Sequence, residues 1–179
     1  MTRSLTFGML IIFSVMTSSI TSYAQADPNG LPIIGTWRVN LDKSSPGIRR
    51  VRTPAWTTTY SVENGGIRHN VYETYPPKYS GLPTGVAPHD HTYFFKLDGR
   101  QEYKDPEGPN GEEQTVAMWL VNRDTIFRQR QTKGVDDERV LYIVSPDGKT
   151  LTWYVWSANK PDPKGQTNMI VWDRVKAEP

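Results

Sequence analysis

The sequence predicts an all-β protein, an antiparallel up-and-down β-barrel of about 8–10 strands, and three observations predict it. All 14 prolines lie beyond residue 26, nearly all between runs rich in Val, Ile, Thr, Tyr and Trp, where they cost no ladder hydrogen bonds. Turn chemistry recurs between those runs, at Asn64-Gly65-Gly66, at Asp98-Gly99 and at Pro146-Asp147-Gly148-Lys149. Past the N-terminal segment, no window of about eleven residues combines a 3.6-residue apolar period with helix caps, so no long helix is expected.

The N-terminal segment comes first. Arg3 supplies a positive start, residues 5–16 are almost continuously apolar, and residues 17–23 lead to Ala24-Gln25-Ala26, a small-x-small cleavage pattern. Residues 1–26 are therefore expected to be a signal peptide, too short in their apolar part to span a membrane in the mature chain, and 27–179 a single barrel domain. The expected location is secreted or periplasmic. The chain holds no cysteine, which excludes disulfides, thiol catalysis and cysteine metal sites. Lys and Arg number 21 against 19 Asp and Glu, a balance unlike that of nucleic-acid binders.

Strands are expected near 34–40, 55–63, 67–75, 91–98, 114–122, 124–132, 138–145, 150–158 and 167–175. Each begins or ends at a Gly, Pro, Asn or Asp cluster, and most connections are short enough to join antiparallel neighbours. That succession favours a meander barrel over a two-sheet sandwich. The exception is the connection 76–90, with Pro76, Pro77, Pro83 and Pro88, which is either a stiffened bridge or a lid or portal.

Gly35-Thr36-Trp37-Arg38-Val39-Asn40, followed by Leu41-Asp42-Lys43-Ser44-Ser45-Pro46-Gly47, resembles the first strand of secreted bacterial lipocalin-like proteins of the calycin type. The resemblance continues at Lys96-Leu97-Asp98-Gly99-Arg100, at Arg123-Asp124-Thr125-Ile126 and at residues 144–152. It implies a lipocalin-like barrel in which Trp37 seals the floor. By the same resemblance Arg174 is the basic residue that stacks on Trp37, a contact worth ~0.5–2 kcal/mol. The proline-rich connection and the load of Trp on the later strands depart from that group's pattern.

Strand parity sorts the side chains. Trp56, Thr58, Tyr60 and Val62 share one face, as do His91, Tyr93, Phe95 and Leu97, and Leu151, Trp153 and Val155; these faces are expected to point inward. On 124–132, Ile126, Arg128 and Arg130 oppose Phe127, Gln129 and Gln131. Either two guanidiniums enter the barrel, which requires an anion or carboxylate partner, or Phe127 is in the core and the arginines are outside. The first arrangement would suit an amphipathic acid held by Arg128 or Arg130. Trp56, Tyr60, His91, Tyr93, Phe95, Met118, Arg128, Arg130 and Trp153 form the expected ligand-binding set.

Histidines offer two further readings. His89-Asp90-His91 is an i, i+2 pair that resembles the first motif of cupins, but Phe94, Phe95 and Lys96 stand where a Glu would follow. With Glu73 of matching parity, His89 and His91 make a candidate metal set, although no metal or other cofactor is expected. A small acid/base enzyme, an isomerase, dehydratase or cyclase, would draw on His69, Asp90, His91 or Tyr93. Six Trp and nine Tyr also fit a carbohydrate-binding module, whose rings would lie exposed and coplanar. The leading expectation is an exported monomer or dimer that binds a small hydrophobic or aromatic molecule and not nucleic acid.

Overall fold

The computed structural model describes residues 27–51, 55–73, 89–100, 103–105, 113–158 and 168–176. Ten strands run in chain order: β1 (Gly35–Asn40), β2 (Thr57–Glu63), β3 (Gly66–Glu73), β4 (His89–Phe95), β5 (Tyr103–Asp105), β6 (Gln114–Asn122), β7 (Thr125–Thr132), β8 (Val135–Val144), β9 (Thr150–Ser157) and β10 (Asn168–Arg174). One helical turn, α1 (Pro46–Val51), follows β1. All strands belong to one antiparallel sheet in the order β4-β3-β2-β1-β10-β9-β8-β7-β6-β5. The first and last strands of the chain therefore pair in its middle, and the sheet curls into a nearly closed barrel. Its two edges meet where the rings of Phe94 on β4 and Tyr103 on β5 lie 6.2 Å apart.

Two hairpins show why the chain turns where it does. Asn64 and Gly65 between β2 and β3, and Lys133 and Gly134 between β7 and β8, all have positive φ, at 47°, 72°, 52° and 76°. Such pairs match the right-handed twist of the flanking strands. The second hairpin corrects the sequence reading: β8 begins at Val135, not near 138, because the two-residue turn leaves no room for a longer loop. The three-residue β5 was not expected at all; it carries too few residues to show an alternation. β4 begins at His89, so that most of the connection 76–90 lies outside the described residues.

Parity reads correctly for most of the residues assigned inward; Val62 departs from it, and the side chain of His91 lies outside the described residues. Trp56, Thr58 and Tyr60 are buried, as are Tyr93, Phe95 and Leu97, and Leu151 and Trp153, whereas Val62, next to last in β2, is exposed. One end of the barrel is plugged. The segment before β1 folds back under Trp37, whose indole Nε1 donates to the carbonyl of Ile33 at 2.8 Å, and Leu31 and Ile33 join the core. At the other end, Ser45 exchanges hydrogen bonds with Met169 through its backbone N–H and its Oγ, fastening the start of α1 to β10. Ser44 Oγ adds an acceptor for the Val171 N–H.

Candidate functional site

The interior is stratified from the plugged end to the α1 end. Above the Trp37 floor lies a layer of rings drawn from around the wall. Trp172 of β10 is 4.6 Å from Trp56 and 4.5 Å from Trp153 of β9, measured between ring centroids. Trp153 meets Tyr142 of β8 at 5.3 Å and His69 of β3 at 5.9 Å. His69 stacks on Tyr60 at 4.2 Å with the planes 13° apart and meets Tyr93 edge-on at 4.6 Å. Side chains from opposite walls thus touch, and the middle of the barrel is filled.

Burial sets the chemistry of that layer. His69 is hydrogen-bonded through Nε2 to Thr58 Oγ1 and is almost fully buried. Burial pushes the Tyr60 phenol well above its usual value, the neighbouring Tyr142 and Tyr93 phenols add to this, and the nearby Thr58 hydroxyl and Arg128 charge pull the other way. Tyr60 is neutral at ordinary pH. The indole N–H groups of Trp153 and Trp172 are buried with no acceptor among the described residues.

Above the rings the lining turns polar, and the arginine question is answered by the register. Arg128 pairs with Met118 and Val140, both buried, so the Ile126, Arg128 and Arg130 face points inward. Phe127 is outside, between Trp119 at 5.5 Å and Trp156 at 6.3 Å. The carboxylate partners come from the chain. Arg128 Nη1 donates to Glu138 Oε1 at 2.9 Å, and its guanidinium carbon lies 6.0 Å from the Tyr93 ring centroid. Arg130 makes a two-point contact with Asp137, 3.0 Å from Nε to Oδ1 and 3.1 Å from Nη2 to Oδ2, and approaches Glu138 at 3.5 Å.

Two consecutive acids reach the same arginines because of a bulge. Arg130 pairs with Glu138 and Gln131 with Asp136, so Asp137 is the extra residue on β8. In a regular strand Asp137 and Glu138 would point to opposite faces; the bulge re-aims one of them. Asp137 is ionised: burial raises its carboxyl, but hydrogen bonds from Arg130 and Thr132 and the Arg130 and Arg128 charges outweigh that and hold it below the ordinary value.

The remaining sequence candidates fall into two groups. Trp56, Tyr60, Tyr93, Phe95, Met118, Arg128, Arg130 and Trp153 are brought to one interior, with Phe95 low in it beside Ile67. His89 pairs in register with Glu73 and His91 with Val71, while the side chains of His89, Asp90 and His91 lie outside the described residues. Among the described residues no group of three metal-ligating side chains occurs. His69 pairs with Tyr93, two register steps from His91, and lies within the ring layer. Sequence reasoning missed Glu138, Asp137 and Tyr142. The acidic run Asp136-Asp137-Glu138 opposite Arg128 and Arg130 across Lys133-Gly134 was the available signal, and it is legible only once the tight turn is recognised.

Solved structures share this architecture. A Schistosoma mansoni fatty acid binding protein in complex with arachidonic acid superposes with a TM-score of 0.55 at 12% identity, over 81% of this chain and 97% of that one. The fold is a calycin-type barrel. The REP1-NXSQ fatty acid transporter (TM-score 0.51, 11% identity, 82% of this chain and 98% of that one) and human cRBP IV (0.50, 10%, 79% and 97%) are similar in the same way. No protein-family model matches the sequence, and no curated protein does. Two of the six Trp of this calycin-type barrel, Trp119 and Trp156, stand half-buried on the outer face, each tilted 35–38° to Phe127, and the other four are buried.

Proposed function

We propose that the protein is an exported carrier that reversibly binds a small hydrophobic or aromatic molecule at the α1 end of its barrel. One observation carries the reading: the barrel wall encloses an apolar ring layer, Tyr93 and Trp153 among its members, that gives way on its α1 side to Met118 and the Arg128–Glu138 pair. That is the composition of a ligand pocket, mostly apolar with a few fixed polar groups. Two proteins of similar fold are named for fatty acids, which supports the hydrophobic character of the cargo. Export rests on the sequence, on Arg3, the apolar residues 5–16 and Ala24-Gln25-Ala26.

Native mass spectrometry of the protein from the exported fraction of its cells, set beside the same sample after denaturing extraction, tests the proposal. The expected result is a co-purifying organic mass, together with quenching of tryptophan fluorescence when the extracted molecule is added back. A bare protein mass, with fluorescence indifferent to neutral and acidic long-chain lipids alike, would overturn the carrier reading.

A further inference from the structure

Resting on that carrier reading, we infer that the polar end of the cargo is uncharged, a hydroxyl, carbonyl or ether oxygen, and not a carboxylate. An arginine at the edge of an aromatic pocket is the usual invitation to an anionic head. Here the invitation is already answered. Arg128 and Arg130 face Asp137 and Glu138, two positive and two negative charges that cancel within one cluster. Both carboxylates are fixed by backbone geometry, because the bulge at Asp137 aims them at the arginine face, and Thr132 Oγ1 donates to Asp137 as a further anchor at 2.6 Å.

An incoming carboxylate therefore has two courses, both unfavourable. It can take Arg128 from Glu138, which leaves the partly buried Glu138 carboxylate only the longer 3.5 Å contact to Arg130, a cation already engaged by Asp137. It can instead rest beside a neutral cluster, with no buried Lys or Arg other than Arg128 among the described residues to pair with it. A neutral oxygen meets neither cost. The buried indole N–H of Trp153, in the ring layer, has no acceptor among the described residues and is a donor that a neutral oxygen can satisfy. The self-neutralised pairs then act as a filter against acids.

The test compares two cargoes that differ only at the head, hexadecan-1-ol and hexadecanoate, as competitors of the uncharged fluorophore N-phenyl-1-naphthylamine, at a pH where the acid is fully ionised. With the native protein the alcohol should displace the fluorophore at about tenfold lower concentration than the acid, or better. Glu138→Gln removes the carboxylate charge facing Arg128 and should narrow the preference for the alcohol over hexadecanoate about tenfold. Hexadecanoate competing as well as the alcohol against the native protein would overturn the inference, and this comparison decides it even where Glu138→Gln does not fold. A preference for the alcohol that Glu138→Gln leaves unchanged would overturn the role given to the pair. If neither the fluorophore nor either competitor binds, the carrier reading itself fails and this inference fails with it, an outcome distinct from acid preference.

Discussion

The guanidinium carbon of Arg174 lies 4.0 Å from the centroid of the Trp37 indole, and the two residues are register partners across β1 and β10. The same guanidinium donates to the carbonyls of Gly148 at 2.6 Å, Ile34 at 2.9 Å and Pro32. It therefore ties the β9 turn and the segment before β1 to the barrel floor. Trp37→Ala should destabilise the fold by ~3–5 kcal/mol as a large core truncation. Arg174→Lys should cost about 1–3 kcal/mol, because an ammonium cannot stack flat on the indole while serving three carbonyls. Chemical denaturation of the two variants measures both; an unshifted Arg174→Lys midpoint would reduce the contact to a surface feature.

Gly35 leaves the room that Arg174 occupies. A Cβ there would stand 2.7 Å from Arg174 Nη1, at a φ of 133° that side chains rarely adopt. Gly35→Ala should destabilise by about 1–3 kcal/mol. In the Arg174→Ala background the steric part of that cost should disappear, which a comparison of melting midpoints shows directly.

Arg128 and Glu138 should be energetically coupled. Their side chains are 9% and 24% exposed, so the pair is only weakly screened. A double-mutant cycle with Arg128→Met and Glu138→Gln should return a coupling of about 0.5–3 kcal/mol, with each single variant worse than an additive scheme predicts from the double. Strict additivity in urea unfolding would remove the pair from the interior.

Acid should loosen the same end of the barrel. The Asp137 carboxyl titrates lower in the folded state than in the unfolded chain, so its contribution is present above the unfolded value of about 3.9 and is lost as pH falls through the folded value. Asp137→Asn should flatten the stability profile in that acid window and leave it parallel to the native profile near neutrality. Thermal melts across the acid range provide the check.

Alkali should act through Tyr60. Its phenol titrates well above the ordinary value of about 10 when folded, so stability is full below that value and falls as pH rises above it, where only the unfolded chain ionises readily. Tyr60→Phe should lessen the alkaline fall. A native and a Tyr60→Phe protein that lose stability in parallel above that value would place the phenol in contact with solvent.

Much of the fold was legible because a strand has a period of two and a turn has a distinctive residue pair. Trp56, Thr58 and Tyr60 could be assigned inward, and Leu151 and Trp153 likewise, from alternation alone. The strand 125–132 could not, since both of its faces carry polar residues and Phe127 competes with Ile126 for the core. Nor could β5, whose three residues gain their place only by pairing Tyr103 with Val116 and meeting Phe94 across the edge.

The sequence by itself determined the class of the protein: antiparallel strands, the punctuation between them and the inward faces, since these depend on neighbours near in the chain, while the expectation of a Trp37 floor came from the resemblance of residues 35–47 to lipocalin-like first strands. The tertiary structure decided what the interior holds. Rings from β2, β3, β4, β8, β9 and β10 fill the middle of the barrel because the closing sheet carries opposite walls into contact, which no local pattern encodes. It also decided the fate of the arginines. Whether Arg128 is a waiting receptor or half of a completed pair depends on one extra residue at Asp137, and on a register that exists only once β7 and β8 have paired.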